Sequence, residues 1–185
     1  VKEIGKYRIE PFLKSRGIAQ LDYVFLSHGD LDHMNGIEEL LMRQDVGVRI
    51  RNLVVPGKQY WDERILKIIT MAKMYGTDVK EMEYGTELKE GEMKFTCLGP
   101  GGNTDDKSHN VMTGNESSMI LHLEYGEFDM LFTGDVEKEG EERLTEVLDV
   151  IREEKKITWE ILKTAHHGSK NSTTETFLQT VYPQY

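Results

Sequence analysis

Within the six positions His28-Gly29-Asp30-Leu31-Asp32-His33, four side chains can bind a metal ion: two imidazoles and two carboxylates. Imidazole nitrogen and carboxylate oxygen are common donors to zinc, manganese and related divalent cations. The stretch follows the apolar, β-rich segment 21–27. It therefore sits where a strand gives way to a loop and side chains can converge. His28, Asp30 and Asp32 fall at i, i+2 and i+4, and His33 adds a neighbour. One such loop can divide its donors between two nearby cations, and Gly29 lets the backbone bend. A single His-Asp pair would read as surface polarity; four donors in six residues after an apolar strand do not.

Two later stretches have the same form. Leu131-Phe132-Thr133-Gly134-Asp135 is an apolar run ending on a carboxylate. Its two oxygens can each bind a different cation, although an isolated Asp before a helix reads more readily as a cap. Leu162-Lys163-Thr164-Ala165-His166-His167-Gly168-Ser169 again runs an apolar strand into potential donors. Adjacent histidines cannot point the same way, so one would ligate and the other face the substrate or leaving group. Which is which stays open, with His166 preferred as ligand because it is the first histidine past the strand. Ser169 and Ser172 could cap the following helix. A pair of cations would lower the pKa of a bound water and hold the oxyanion formed by its attack.

The elements that must position these groups alternate. Pro11 suits the first turn of a short helix ended by Gly17. Segments 21–27 and 53–55 read as strands, with a helix between them starting near Asn35 and burying Ile37, Leu40 and Leu41. Asp62 would cap a helix to about Tyr75 with Ile65, Ile68, Ile69 and Ala72 on one face and Gly76 closing it. Strands follow at 78–82 and 93–98, then a polar, Gly-rich loop at 99–114. Segments 119–123 and 128–132 pair around Tyr125-Gly126-Glu127. A charged helix spans about 138–151, a strand 159–164, and a helix 173–181. Strand–helix alternation combined with hairpin-like pairs predicts an α/β fold with mixed sheets and helices outside. No linker divides the 185 residues, so one domain over 1–185 is expected.

Bulk properties narrow the chemistry. No apolar run approaches the length of a membrane span, and no secretory leader pattern is present. The chain starts at Val1 and stops soon after a helix, so a fragment of a longer protein is expected. A formal net charge of -10 disfavours a broad nucleic-acid face, leaves room for a local basic strip, and suits cation binding. The single Cys97 excludes a disulfide framework and a Cys-based zinc site; within Phe95-Thr96-Cys97-Leu98 it reads as a buried strand residue.

Taken together, HxDxDH, Thr-Gly-Asp and His-His-Gly-Ser, in that order and each after a strand, resemble the metallo-β-lactamase superfamily over nearly the whole chain. The resemblance implies a four-layer αβ/βα sandwich of mixed sheets with a dinuclear metal site. Two departures narrow it. The usual first motif is HxHxDH, and here Asp30 stands for the second histidine. The usual Gly-His-x-Ser stretch reads Gly114-Asn115-Glu116-Ser117, with Asn115 for histidine. Both departures, together with Pro11-Phe12-Leu13-Lys14-Ser15-Arg16-Gly17-Ile18, Leu21-Asp22 and Leu162-Lys163, are similar to the branch found in competence DNA-uptake channels (the ComEC type). There the domain extends a multi-spanning membrane protein on its outer side and degrades the DNA strand that is not imported; outside that branch a cytoplasmic location is expected. The family's domain also opens with an Asp-Val-Gly-Gln-Gly-Asp-like strand and continues past Pro183. Neither end is present, which implies truncation at both ends.

On this resemblance, one metal would take His28 and Asp30, with Asp135 bridging and Asn115 nearby. The other would take Asp32, His33, Asp135 and His166. Asp32 and His167 are the expected catalytic residues, His167 as proton donor or phosphate ligand. Replacing histidine by Asp30 and Asn115 makes the donor set harder, so Mn²⁺ is expected to compete with Zn²⁺. DNA is the expected substrate of a nuclease or phosphodiesterase. Lys58, Lys107, Lys163 and Lys170 are candidate phosphate contacts. A small phosphoester, lactone or β-lactam is the alternative substrate; a non-catalytic binding module is disfavoured by the intact donor set. His122 and His109 read as structural or solvated, and the run at 152–156 as a solvated helix end.

Overall fold

Segment 20–25, β-rich and apolar, forms strand β1 (Gln20–Phe25), which pairs in parallel with β2 (Arg49–Pro56) through Leu21–Ile50 and Phe25–Val54. Parallel pairing needs a crossover, supplied by helix α2 (Leu31–Met42). The computed structural model describes residues 3–101, 114–154 and 157–185. It divides into two compact units, Val1–Glu81 and Met82–Tyr185.

The first unit is built on the sheet β1-β2-β3, with β3 at Asp78–Met82. Leu53, Val54 and Val55 are fully buried in succession, as expected of a parallel strand covered on both faces. Helix α3 (Glu63–Met74) turns Ile65, Ile68, Ile69 and Ala72 into a core shared with Leu26, Met34, Leu41 and Ile50. Asp62 caps it, accepting from the Ile65 N–H at 2.8 Å, and Gly76 at φ +78° follows its end. A π-helical turn, Gly5–Ile9, leads into α1 (Glu10–Ser15). The buried Glu10 carboxylate accepts from Arg43 Nε at 2.8 Å and Lys14 Nζ at 2.7 Å. These two cations hold its pKa down at about 2.

The second unit carries a five-stranded sheet in the order β4-β5-β6-β7-β8. Strands β4 (Glu87–Glu90), β5 (Met93–Gly99), β6 (Ile120–Tyr125) and β7 (Phe128–Phe132) are antiparallel neighbours. Strand β8 (Ile161–Lys163) runs parallel to β7, and α4 (Lys138–Glu154) makes that crossover. Helix α5 (Glu175–Val181) adds Phe177 and Val181 to a core with Leu131, Leu144, Leu148 and Trp159. Cys97 is buried on β5 and burial pushes its thiol up to about 11. His122 is structural: it is buried, its Nε2 lies 2.6 Å from Asp129 Oδ1, and its ring packs on Trp159.

The predicted mixed α/β class holds: two sheets with helices. Several boundaries move. Helix α2 starts at Leu31, not near Asn35, so Asp32 and His33 stand on a helical first turn rather than in a loop. Leu31 is exposed and the first buried apolar residue is Met34, which hid the start from a reading of apolar periodicity. Strand β4 was not anticipated, because Glu-Leu-Lys-Glu at a sheet edge buries little. Segment 159–164 contributes only Ile161–Lys163 to the sheet, and α5 begins at Glu175. Residues 102–113, with Lys107 and His109, and the pair Lys155-Lys156 lie outside the described residues. Among the described helices none is long and apolar enough to cross a membrane.

Candidate functional site

In the first unit the donors gather where β1 hands over to α2. Asp30 is the N-cap of α2 in extended conformation (φ -77°, ψ 147°), yet its carboxylate makes no capping bond. Arg64 of α3 takes it instead, with Nη1 3.2 Å from Oδ1 and 3.3 Å from the Gly29 carbonyl. Oδ2 lies 3.7 Å from His28 Nε2. His28 is buried, and Ser27 Oγ sits 3.0 Å from its Nδ1 and 3.3 Å from His33 Nδ1. One hydroxyl thus steers two imidazoles whose ring centres are 4.3 Å apart. Asp32 is the most exposed of the set, with its Oδ2 3.9 Å from His33 Nε2. Gly29 has no room for a Cβ, which would run into the Asp62 carboxylate that caps α3.

In the second unit β7 ends at Phe132, and Thr133 Oγ1 donates to the Lys163 carbonyl at 2.7 Å, tying the ends of β7 and β8 together. Gly134 turns the chain at φ +57° and presents the buried Asp135, whose N–H donates to Ser118 Oγ at 3.0 Å. Asp135 lies three residues ahead of α4's first residue. Its Oδ2 is 3.3 Å from His167 Nε2, and its Oδ1 3.8 Å from Lys163 Nζ.

The tandem histidines occupy a strained backbone. His166 (φ 44°, ψ 47°) and His167 (φ 53°, ψ 26°) are both left-handed, at a cost of roughly 1–2 kcal/mol each. Such a pair persists only where its surroundings over-determine it. The His166 N–H donates to the Gly134 carbonyl at 3.2 Å, and the His166 carbonyl accepts from Ser169 N–H at 2.8 Å. The two rings diverge, with centres 6.3 Å apart and planes at 69°. His167 turns to Asp135. His166 turns to Glu137, Nδ1 to Oε1 3.1 Å, and to Asn115 Nδ2 at 3.4 Å. Asn115 is seated by its neighbour Glu116, which accepts from the Gly140 N–H at 2.7 Å and whose carboxyl is pushed up by burial.

The sequence-predicted residues therefore fall into two groups. His28, Asp30, Asp32 and His33 gather in the first unit; Asp135 and His167 meet in the second, where His166 is directed elsewhere. Residues missed from sequence are Arg64, Ser118 and Glu137. Glu137 had a signal, standing two residues past the Thr-Gly-Asp carboxylate. Arg64 had none, since it reaches Asp30 across 34 positions. Imidazoles, carboxylates and an amide, with no thiolate, form a donor set suited to divalent cations of borderline to hard character.

A family model described as the metallo-β-lactamase superfamily matches residues 2–184. ComE operon protein 3 of Bacillus subtilis is 32% identical over 181 residues, covering 98% of this chain and 21% of that protein. Recombination protein 2 of Haemophilus influenzae is 27% identical, covering 97% and 19%. Competence protein ComA of Neisseria gonorrhoeae is 28% identical, covering 96% and 21%. The chain thus spans about a fifth of the length of these relatives. Among solved structures, CmlA, a diiron β-hydroxylase from Streptomyces venezuelae, superposes with a TM-score of 0.50 at 18% identity, over 78% of this chain and 25% of that one. A mutant of the same enzyme gives 0.52 at 21% identity, over 78% and 26%. These two likenesses concern the fold.

Proposed function

The chain belongs to the metallo-β-lactamase superfamily of metal-dependent hydrolases, and from that premise we propose that it is a phosphodiesterase acting on DNA during competence-type uptake. The observation that carries this reading is the 32% identity with ComE operon protein 3, which spans all three donor motifs. The names of the other two relatives, a recombination protein and a competence protein, point the same way.

The proposed ligands of divalent cations are His28, Asp30, Asp32 and His33 in the first unit and Asp135 in the second. Of the tandem pair we assign His167 as the ligand and His166 to the substrate, reversing the expectation from sequence. The 3.3 Å approach of His167 to Asp135 and the commitment of His166 to Glu137 and Asn115 support the exchange. When bound, the two cations would supply a nucleophilic hydroxide at neutral pH and stabilise the charge of the displacement. The chain's own part is orientation. Ser27 holds two imidazole rings, Arg64 keeps Asp30 aligned, and Glu137 accepts from His166 Nδ1, with Asn115 Nδ2 donating to the same carboxylate oxygen at 3.5 Å. That leaves the other ring nitrogen of His166 for a phosphate or leaving oxygen. Lys163, half-buried beside Asp135, and exposed Lys170 are the proposed phosphate contacts of this unit.

The carboxylates and Asn115 in place of histidines favour Mn²⁺ over a purely zinc-selective site. The net charge of -10 favours the second reading, a small phosphoester substrate. Cleavage of single-stranded DNA, assayed with Mn²⁺ and with Zn²⁺ and with Asp32→Ala as control, separates the two. Metal-dependent cleavage lost in the control is expected. No cleavage under either metal, with turnover of a small phosphodiester, would establish the second.

A further inference from the structure

Glu141, on the first turns of α4, is 1% exposed, and among the described residues no Lys or Arg pairs with it. Its two carboxylate oxygens are spent on backbone: one accepts the Thr173 N–H, the other the Thr174 N–H at 2.9 Å. Thr173 is itself left-handed at φ 55°. Its Oγ1 accepts from the Ala165 N–H at 3.1 Å, and Ser172 Oγ donates to the Ala165 carbonyl at 2.9 Å. Ala165 is the residue before the two left-handed histidines. A continuous path of hydrogen bonds therefore runs from a buried carboxylate on a regular helix to the peptide that launches His166 and His167.

We propose that Glu141 is a positioning residue that sets the tandem histidines by clamping the 172–174 turn behind them. The clamp requires a carboxylate, because two N–H donors arrive on two oxygens and an amide would meet one of them with its own N–H. An ionised acceptor also makes the stronger bonds. Groups that orient metal-ligating side chains through hydrogen bonds change metal affinity when removed, by about 10–100-fold. Glu141 acts through backbone, so the low end applies. The inference rests on the assignment of His167 as a ligand.

The test uses the whole chain with Glu141→Gln, Glu141→Asp, His167→Ala and the double variant Glu141→Gln/His167→Ala. Amide hydrogen exchange at Ala165 and Thr173 reads the clamp without metal, and titration with Mn²⁺ followed by electron paramagnetic resonance reads the ligand. In Glu141→Gln we expect exchange at both amides to rise at least tenfold and Mn²⁺ affinity to fall about tenfold, measured well below the melting transition. The double variant binds Mn²⁺ no more weakly than His167→Ala alone. Glu141→Asp, which keeps the charge, lies between and serves alone if the Gln variant fails to fold. Wild-type exchange protection, unchanged Mn²⁺ affinity, or additive losses in the double variant would each overturn the proposal. A wild-type chain that binds no Mn²⁺ overturns the proposed function instead, and the exchange arm then decides the clamp by itself.

Discussion

The donor groups of the two units are presented by opposite kinds of backbone. In the first unit Asp30, Asp32 and His33 stand on the N-cap and first turn of a twelve-residue helix, in ordinary conformations, with the Asp30 carbonyl already receiving the His33 and Met34 N–H groups at 3.0 and 3.1 Å. In the second unit the two histidines follow a three-residue strand in consecutive left-handed conformations. In the first set the backbone is regular helix, and outside groups act on the side chains alone, Arg64 on Asp30 and Ser27 on His33. The second set is held from outside, by Gly134, Ser169 and the path that begins at Glu141. The lesson is that side chains equivalent in a motif stand on backbones that make very different demands on the rest of the fold.

The sharpest break of this comparison is the tandem pair itself. His167→Ala is expected to lower Mn²⁺ affinity by at least about tenfold, whereas His166→Ala keeps affinity and lowers kcat by about a hundredfold. Metal titration beside steady-state kinetics separates them, and the reverse pattern would restore the sequence-based order. Next in size is Gly29→Ala. The added Cβ meets the Asp62 carboxylate, so a loss of about 1–3 kcal/mol in urea unfolding is expected, with the α3 cap disturbed. A neutral substitution there would show that the first set is less tightly built than its regular helix implies.

Glu10→Gln, remote from the donors, should cost about 2 kcal/mol by stranding Arg43 and Lys14. Glu10's folded-state pKa is depressed from 4.5 to about 2. Its contribution is therefore full above about pH 4.5 and is lost as pH falls through about 2. Wild-type stability should fall across that window more steeply than that of Glu10→Gln, as followed by denaturant unfolding at stepped pH. The smallest effect is expected from Arg64→Ala. The Arg64–Asp30 pair is half exposed on both sides, so stability should change by less than about 1 kcal/mol. A drift in Mn²⁺ affinity without a change in melting temperature would mark Arg64 as an aligner of Asp30.

Much of the fold was legible as pattern. Ile65, Ile68, Ile69 and Ala72, flanked by Asp62 and Gly76, described α3 almost to the residue, because cap, period and stop all agreed. Cys97 read as buried and inert for the same local reason. The start of α2 was hidden behind an exposed Leu31, and β4 behind a sheet-edge position that buries little, since periodicity reports burial rather than hydrogen bonding.

By itself the sequence determined the class of the protein, the order of its donor motifs and the residue types available to hold a cation. These follow from composition and spacing along the chain, which short-range chemistry can read. Only the tertiary structure decided that His167 rather than His166 meets Asp135, that Arg64 displaces Asp30 from its capping role, and that Glu141 stands behind the histidine turn. Each of these depends on partners brought in from about thirty positions away. At that separation, spacing carries no information about which side chains touch.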